Sequence, residues 1–196
     1  IDPSLIDVDT FSYVASKCVD EGITFNYLVD SYKSLLDHAG EMLTTFKGWM
    51  TVRDKIRIGI DCEAIAPVGS ITMDDILEGS FAWWRTSSDQ ISNWITVEYI
   101  DGDGAGDGGT WERVSVYASD DADIDKRGVI EASYSFLGIT NKILAQKMAD
   151  YMLAKNTYGQ IFCEFSTMLN TSGYDVGDVV YLTEDLAGWV NKPVRI

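Results

Sequence analysis

The sequence has few basic side chains, one histidine and no long apolar run. Its 196 residues contain 15 Lys and Arg against 31 Asp and Glu, a net charge of −16. Such an acidic surface repels phosphate backbones and anionic lipid headgroups, which argues against specific nucleic-acid binding. No run reaches the roughly 18 apolar residues of a membrane-spanning helix, and the start lacks the basic and apolar regions of a signal peptide. We expect a soluble protein with no membrane span.

Cysteine and histidine are also too sparse for two kinds of site. Cys18, Cys62 and Cys163 are odd in number, far apart and free of any CxxC pair. With one histidine in the chain, neither a disulfide framework nor a zinc site is indicated, so we expect reduced thiols in the core. His38 adjoins the apolar side of a predicted helix without a nucleophile motif, which favours a buried histidine over a catalytic one.

What the sequence does have is enough apolar material to fold. Its 46% hydrophobic and 12% aromatic content can offset the entropy of folding, and its length fits one large domain or two small ones. The chain starts at Ile1 rather than Met and stops inside a strand pattern, so we expect a segment of a longer protein.

The first part of the sequence predicts helices and a hairpin. Periodicity and capping residues indicate a helix from Asp9 to before Gly22, a strand over 23–29, a helix from residue 30 or 31 to about Gly48, and hairpin strands at 49–52 and 56–60. The second helix places its apolar positions, from Tyr32 to Phe46, on one side. The stretch 62–70 carries Pro67 and Gly69 and little periodicity, so we place a domain boundary there.

The second part of the sequence is rich in strand patterns. They predict a long hairpin from 93–100 and 111–117, a strand at 129–136, a helix over about 140–155, and strands at 161–168, 178–183 and 189–196. The sequence therefore predicts an α+β protein with two domains. We expect residues 1–66 to form a small α/β domain, and residues 67–196 to form a β-sandwich or barrel-like module with one long helix.

A loop rich in Asp and Gly is the sharpest local pattern. Five of its residues match positions 1, 3, 6, 7 and 12 of an EF-hand calcium loop, namely Asp101, Asp103, Gly106, Asp107 and Glu112. Ala105 supplies no oxygen at position 5, and the flanking patterns are strands rather than helices. Two interpretations stay open: a calcium site held by Asp101, Asp103, Asp107 and Glu112, or an exposed hairpin tip without a cofactor.

Other acidic and aromatic residues leave further alternatives open. The acidic run at 120–125 is interpreted as a solvated loop, with a metal site as the alternative. Carboxylates for glycoside cleavage are available at Glu63, Asp74, Asp75 and Glu78, but the sequence does not bring any two of them together. Tryptophans for a sugar-stacking platform, a protein interface or a β core occur at Trp83, Trp84, Trp94, Trp111 and Trp189.

The order of motifs from residue 71 onward resembles a known family. The motifs are Gly79-Ser80-Phe81, Asn93 to Asp101, Gly138-Ile139-Thr140-Asn141 with Ala145 and Ala149, and Gly177-Asp178-Val179-Val180 with Thr183, Gly188 and Arg195. This order is similar to the hub region of phage tail-tip proteins, the lambda-like host-specificity or central tail fibre J family. The chain departs from that pattern at Val176, where a proline commonly stands. Residues 1–60 match only in the order of elements.

The resemblance implies a virion structural protein of a phage or prophage, not an enzyme, in which residues 67–196 are a module of the tail-tube type. It implies a homotrimer around the tail channel, contacts with other tail proteins, a place at the virion tail tip after synthesis in the bacterial cytoplasm, and a role in host attachment and genome delivery. Asn93, Asp101, Gly138, Ala145, Ala149, Gly177 and Asp178 would be structural motif residues. The acidic charge suits a channel through which DNA passes without binding. The alternative is a tail-associated glycan-binding or glycan-hydrolysing module.

Overall fold

A computed structural model gives the fold. It describes residues 2–29, 32–61, 66–102, 111–136, 138–168 and 173–196. The helices within these ranges are α1 (Val8–Glu21), α2 (Leu35–Thr45), α3 (Asp121–Arg127) and α4 (Lys142–Tyr158). The strands are β1 (Gly48–Val52), β2 (Ile56–Ile60), β3 (Gly69–Ile71), β4 (Ala82–Arg85), β5 (Trp94–Asp101), β6 (Glu112–Ser119), β7 (Glu131–Ser135), β8 (Ile161–Glu164), β9 (Val179–Glu184) and β10 (Trp189–Arg195). The predicted α+β class is confirmed, and no barrel closes within the described ranges.

The chain divides into two compact units, each made of two chain segments. Unit 1 contains Ile1–Ile60 and Thr86–Gln160, and unit 2 contains Asp61–Arg85 and Ile161–Ile196. The domain division into 1–66 and 67–196 stays a prediction. None of the described helices is both long and apolar enough to cross a membrane.

A three-stranded sheet and one helix form the main core of unit 1. In this sheet β5 lies in the middle, antiparallel to β6 and parallel to β7. Because side chains alternate along a strand, Ile95, Val97 and Tyr99 all point to one face and are buried. The helix α4 packs on that face through a row of small and large side chains that includes Ala145 and Met148. The predicted long hairpin and the predicted long helix are confirmed.

The N-terminal part of unit 1 is a hairpin with two helices against it. The strands β1 and β2 pair in register around the predicted turn at 53–55. The helix α1 ends at Gly22, whose φ of 69° is the left-handed conformation that glycine adopts without strain. The helix α2 begins with a capping box between Ser34 and Asp37, later than the sequence predicts.

The strand predicted at 23–29 is wrong. Although its residues have strand propensity, this described segment pairs with no strand, and the backbone N–H of Asn26 donates instead to the carbonyl of Gly138. A β-strand requires a neighbouring strand to pair with. The segment 23–29 has none, and it is a connecting segment of unit 1.

Unit 2 contains a three-stranded sheet and a two-stranded ribbon. The sheet has the order β10-β9-β3, with β3 parallel to β9, and the ribbon pairs β4 with β8. Ile71, Val180 and Leu182 form its buried cluster. A bulge interrupts the β9–β10 pairing between Trp189 and Lys192. The strands β3 and β4 were not predicted, because they are too short to show a period.

Candidate functional site

Asn93 is a buried polar junction at the start of β5. Its Nδ2 donates to Oδ2 of Asp123 at 2.9 Å and to the carbonyl of Gly128 at 2.9 Å, while its Oδ1 accepts from the N–H of Ile130 at 2.8 Å. Its carbonyl accepts from the N–H of Asp120 at 2.9 Å. This single side chain, 2% exposed, fixes the start of β5 relative to α3 and to the chain that leads into β7.

The acidic run that was predicted to be a solvated loop is the helix α3, so that prediction is wrong. Oδ1 of Asp120 caps the helix by accepting from the N–H of Asp123. Nε of Arg127 donates to Oδ1 of Asp123 at 2.8 Å, and its Nη2 reaches the carbonyl of Ile91 at 3.2 Å. The hydrogen bonds from Arg127 and Asn93 lower the pKa of Asp123 to about 2. Acidic residues in the first turn and basic ones in the last also favour this helix.

The predicted calcium ligands lie only partly in the described chain. Asp101 and Glu112 face each other as the last pair of the β5–β6 ladder. Asp103 and Asp107 lie outside the described residues. Within the ranges that the structure describes, no three His, Cys, Asp or Glu side chains cluster as metal ligands would. Calcium binding by this loop stays a prediction.

The motif residues of unit 1 lie where close packing requires small side chains. A Cβ on Gly138 would stand 2.3 Å from Cε2 of Phe25, so the ring of Phe25 occupies the space that any other residue would need. Ala145 and Ala149 are completely buried on α4, between the helix and the sheet. Replacing any of these three residues by a larger one requires the neighbouring side chains to move.

Gly177 and Asp178 form a turn that leads into β9 in unit 2. Gly177 has a φ of 93°, and its N–H donates to the carbonyl of Ile196 at 2.8 Å. Oδ2 of Asp178 accepts from the N–H of Asp175 at 2.8 Å, and the N–H of Ile196 donates to the carbonyl of Asp178. The turn therefore holds the chain at the end of β10, and the role of Gly177 and Asp178 as family-motif residues stays a prediction.

Aromatic rings cluster in unit 2. The ring of Trp189 lies 5.9 Å from that of Trp83 and 5.8 Å from that of Phe81, in an edge-on arrangement with the latter. Nζ of Lys192 lies 4.1 Å from the centroid of the Trp189 ring, a close cation–π contact. Phe81 also stacks on Phe165. These rings extend the small buried cluster of this unit toward its surface.

The ribbon of unit 2 exposes a second aromatic pair that sequence patterns missed. Trp84 and Phe162 oppose each other in the β4–β8 register and stack, with centroids 6.1 Å apart. Both rings are about half exposed, at 48% and 47%. The adjacent residues Trp83 and Trp84 could have predicted an exposed ring, because side chains alternate along a strand and one of the two must point away from the core.

The tryptophans that are candidates for a sugar platform, a protein interface or a β core occur in both units. In unit 1, Trp94 stacks on Tyr117 with centroids 4.7 Å apart, on the sheet face opposite α4. The other described tryptophans are divided between the two units. Asp75, a candidate catalytic carboxylate, accepts hydrogen bonds from the N–H and Oγ1 of Thr72 in a turn. Glu63 lies outside the described residues.

The described cysteines and the histidine occupy ordinary packing positions. Burial raises the pKa of the thiols of Cys18 and Cys163, and neither is in a disulfide. Cys62 lies outside the described residues. His38 is buried and presents its ring edge-on to Tyr27, with centroids 6.1 Å apart.

A comparison with known protein families identifies the family of this chain. A family model described as "Putative phage tail protein" matches residues 30–196. This chain belongs to that family of phage tail proteins. The family supports a structural role of this tail protein in a phage tail.

Solved structures with the same fold are also tail or virion components. A chain from the virion of a native gene transfer agent particle aligns with 94% of this chain and 43% of its own, at 18% identity and a TM-score of 0.63. The 43 kDa tail protein of prophage MuSo2 from Shewanella oneidensis aligns with 95% of this chain and 60% of its own, at 14% identity and a TM-score of 0.54. A tail protein from Neisseria meningitidis MC58 aligns with 96% of this chain and 59% of its own, at 10% identity and a TM-score of 0.55.

This tail protein therefore spans about half the length of the structures that it matches, and at these identities the likeness shows the fold alone. No curated protein matches the chain.

Proposed function

We propose that this tail protein forms part of the central hub at the tip of a phage or prophage tail. In the intact protein three copies surround the tail channel, contact other tail proteins, and contribute to host attachment and genome delivery. The protein is made in the bacterial cytoplasm and performs no chemistry. The observation that carries the proposal is the family match over residues 30–196. The alignment of 94% of the chain with a chain of a virion particle supports it.

The charge of the chain supports the part of the proposal that concerns the channel. DNA moves freely only along walls that do not bind it, and a chain with a net charge of −16 offers few cations to phosphate. Unit 2 has only three basic residues, Arg85, Lys192 and Arg195. In a structure of the assembled tail we expect acidic side chains to line the channel, and finding them only on the outer surface would remove this part of the proposal.

Immunogold electron microscopy tests the position in the particle. Particles induced from the source strain are labelled with an antibody against this chain, and particles from a strain with the gene deleted serve as the control. We expect gold at one end of each tail, opposite the head. Gold along the whole tail would contradict the tip position, and purified particles that lack the protein would contradict the structural role.

A further inference from the structure

A small cavity of unit 1 lies where three parts of the chain meet. Its volume is about 190 Å³, and it is lined by the segment 23–29, by α2 with the residue Lys33 before it, and by the end of β7 with residues 136 and 138. All residues that line it lie within the described ranges. A cavity of this size has room for one small ligand and not for a peptide or a nucleic-acid strand.

Two phenylalanine rings give the cavity apolar walls. Phe136 is buried in the main core of unit 1, and Phe25 stacks on Tyr27 with ring centroids 5.6 Å apart. Phe25 also fills the space beside Gly138, and the N–H of Asn26 donates to the carbonyl of Gly138 at 2.9 Å. Because these contacts fix the position of Phe25 before a ligand arrives, binding costs little further ordering of this wall.

An ion pair gives the same cavity a donor and an acceptor. Nζ of Lys33 donates to Oε1 of Glu41, and the hydroxyl of Tyr27 donates to Oε2. These hydrogen bonds lower the pKa of the Glu41 carboxyl, and the bond to Glu41 raises the pKa of the Lys33 ammonium, so both groups stay charged. An ammonium has three N–H donors and a carboxylate has about four lone pairs, so each partner can also bind a ligand.

Two hydroxyls lie beside the ion pair. Oγ1 of Thr44 donates to the carbonyl of Glu41 at 2.9 Å, and Oγ of Ser135 donates to Oε2 of Glu98 at 3.0 Å. A hydroxyl that donates one hydrogen bond can still accept another through its oxygen. The cavity therefore combines donors, acceptors and two aromatic walls, and its one cation and one anion cancel in net charge.

This combination defines the chemistry of a ligand that fits. The balanced charge of Lys33 and Glu41 favours a neutral molecule. Neighbouring donors and acceptors suit hydroxyl groups, because each hydroxyl both donates and accepts. The rings of Phe25 and Phe136 suit the apolar C–H groups of a saturated ring. We propose that the cavity binds one neutral sugar ring of a glycan on the host surface. This inference rests on the proposed role in host attachment and names the class of ligand.

Titration with simple sugars tests the site. The ¹⁵N-labelled chain is titrated with the methyl glycosides of glucose, galactose, mannose and N-acetylglucosamine, and ¹H–¹⁵N spectra are recorded. We expect at least one of them to shift the amides of residues 25–27, α2 and residues 135–138, with a Kd of about 1 mM, as suits a ligand of this size. Methyl glucuronide is the anionic probe and should bind no more tightly than methyl glucoside.

Two variants place the binding in the cavity. Glu41→Gln keeps the shape of the side chain but removes its charge, and it should weaken binding at least about tenfold. Thr44→Phe, at an exposed position of α2, puts a ring into the cavity and should abolish the shifts. Asp54→Asn is the matched control, because it breaks an exposed ion pair of unit 1, with Arg57 at 3.4 Å, that does not line the cavity. Circular dichroism checks that all three variants are folded.

The outcomes separate this inference from the proposed function. Spectra that do not change with any neutral glycoside, even about a hundredfold above the expected Kd, would overturn the sugar site. Shifts that persist in both Glu41→Gln and Thr44→Phe would overturn its place in the cavity, and tighter binding of methyl glucuronide would overturn the neutral class. Each of these results leaves the tail role intact, because the immunogold experiment decides that role without any ligand.

Discussion

The two units of this tail protein bury their apolar side chains in different ways. Within the described residues, the cluster of unit 1 contains eleven buried side chains, packed between one face of a sheet and α4. The cluster of unit 2 contains three, and its aromatic rings lie partly at the surface. The difference teaches that two units of one α+β chain can have different sources of stability. The stability of unit 1 depends on fully buried apolar side chains, whereas that of unit 2 depends on contacts between partly exposed aromatic rings.

Cavity-forming variants in the two cores should produce the largest effects. Ile95 and Leu182 are both completely buried, one in each unit. Changing either to alanine should lower the free energy of unfolding by about 2–5 kcal/mol, because the surrounding side chains cannot close the cavity. Urea unfolding measures the loss. Ile143→Ala and Leu186→Ala, at exposed positions, are the controls and should cost far less.

Hydrogen exchange would show whether the two cores are independent. Leu182→Ala should accelerate exchange in β3, β9 and β10 and leave the amides of β5 protected, because β5 belongs to the other unit. Equal acceleration in both units would contradict the comparison and indicate one cooperative core.

The polar junction at Asn93 should give the next largest effect, and only in unit 1. Asn93→Ala leaves the N–H of Ile130 and the carbonyl of Gly128 without the amide that bonds them, at a cost of about 2–3 kcal/mol. The measurement is urea unfolding followed by near-ultraviolet circular dichroism. Asn26→Ala removes one exposed hydrogen bond, to Thr140, and is the matched control. A loss at position 93 no greater than that at position 26 would remove Asn93 from the framework of unit 1.

The cation–π contact between Lys192 and Trp189 in unit 2 should contribute less stability than the hydrogen bonds of Asn93. Lys192→Gln removes the cation above the ring of Trp189 and should destabilise unit 2 by about 0.5–1 kcal/mol. The measurement is the melting temperature in thermal unfolding. Lys55→Gln, in the exposed turn of unit 1, is the matched control. An unchanged melting temperature in Lys192→Gln would show that the aromatic cluster does not need the cation.

Acid should weaken unit 1 through Asp123. The pKa of this carboxyl in the folded chain is about 2, below its ordinary value of 3.8. Because the folded pKa is the lower one, the pair with Arg127 contributes stability above about pH 4, and this contribution is lost as the pH falls toward 2. Asp123→Asn should therefore flatten the dependence of the urea midpoint on pH over this range. Asp125→Asn, on the exposed side of α3, should leave that dependence unchanged.

Sequence patterns predicted the elements whose signal is local. The alternation along β5 and β6 and the capped helix α4 are visible in their own residues, and both were placed correctly. The acidic run at 120–125 was not placed, although two local signals were present, the cap at Asp120 and Arg127 four residues after Asp123; only the bond to Asn93 is distant in sequence. The segment 23–29 has the residues of a strand but no strand beside it.

Sequence patterns could not predict the hydrogen-bond partners of Asn93 or which strands form each unit, for a related reason. The resemblance marked Asn93 as a motif residue, but its partners, Asp123, Gly128 and Ile130, lie 30 or more residues further along the chain. In unit 2, β3 pairs with β9 and β4 with β8 across all of β5 to α4. Periodicity describes neighbours along the chain and carries no information about such distant partners.

The arrangement of unit 2 as two separated chain segments sets an order of events on the ribosome. All strands of unit 1 are synthesised before β8, β9 and β10, so its sheet can begin to close while translation of unit 2 continues. The first strands of unit 2, β3 and β4, emerge much earlier but must wait for β8 and β9, which follow unit 1 in the sequence. During this interval β4 exposes two tryptophans and an unpaired edge, so the nascent chain is most prone to aggregate just before β8 and β9 emerge.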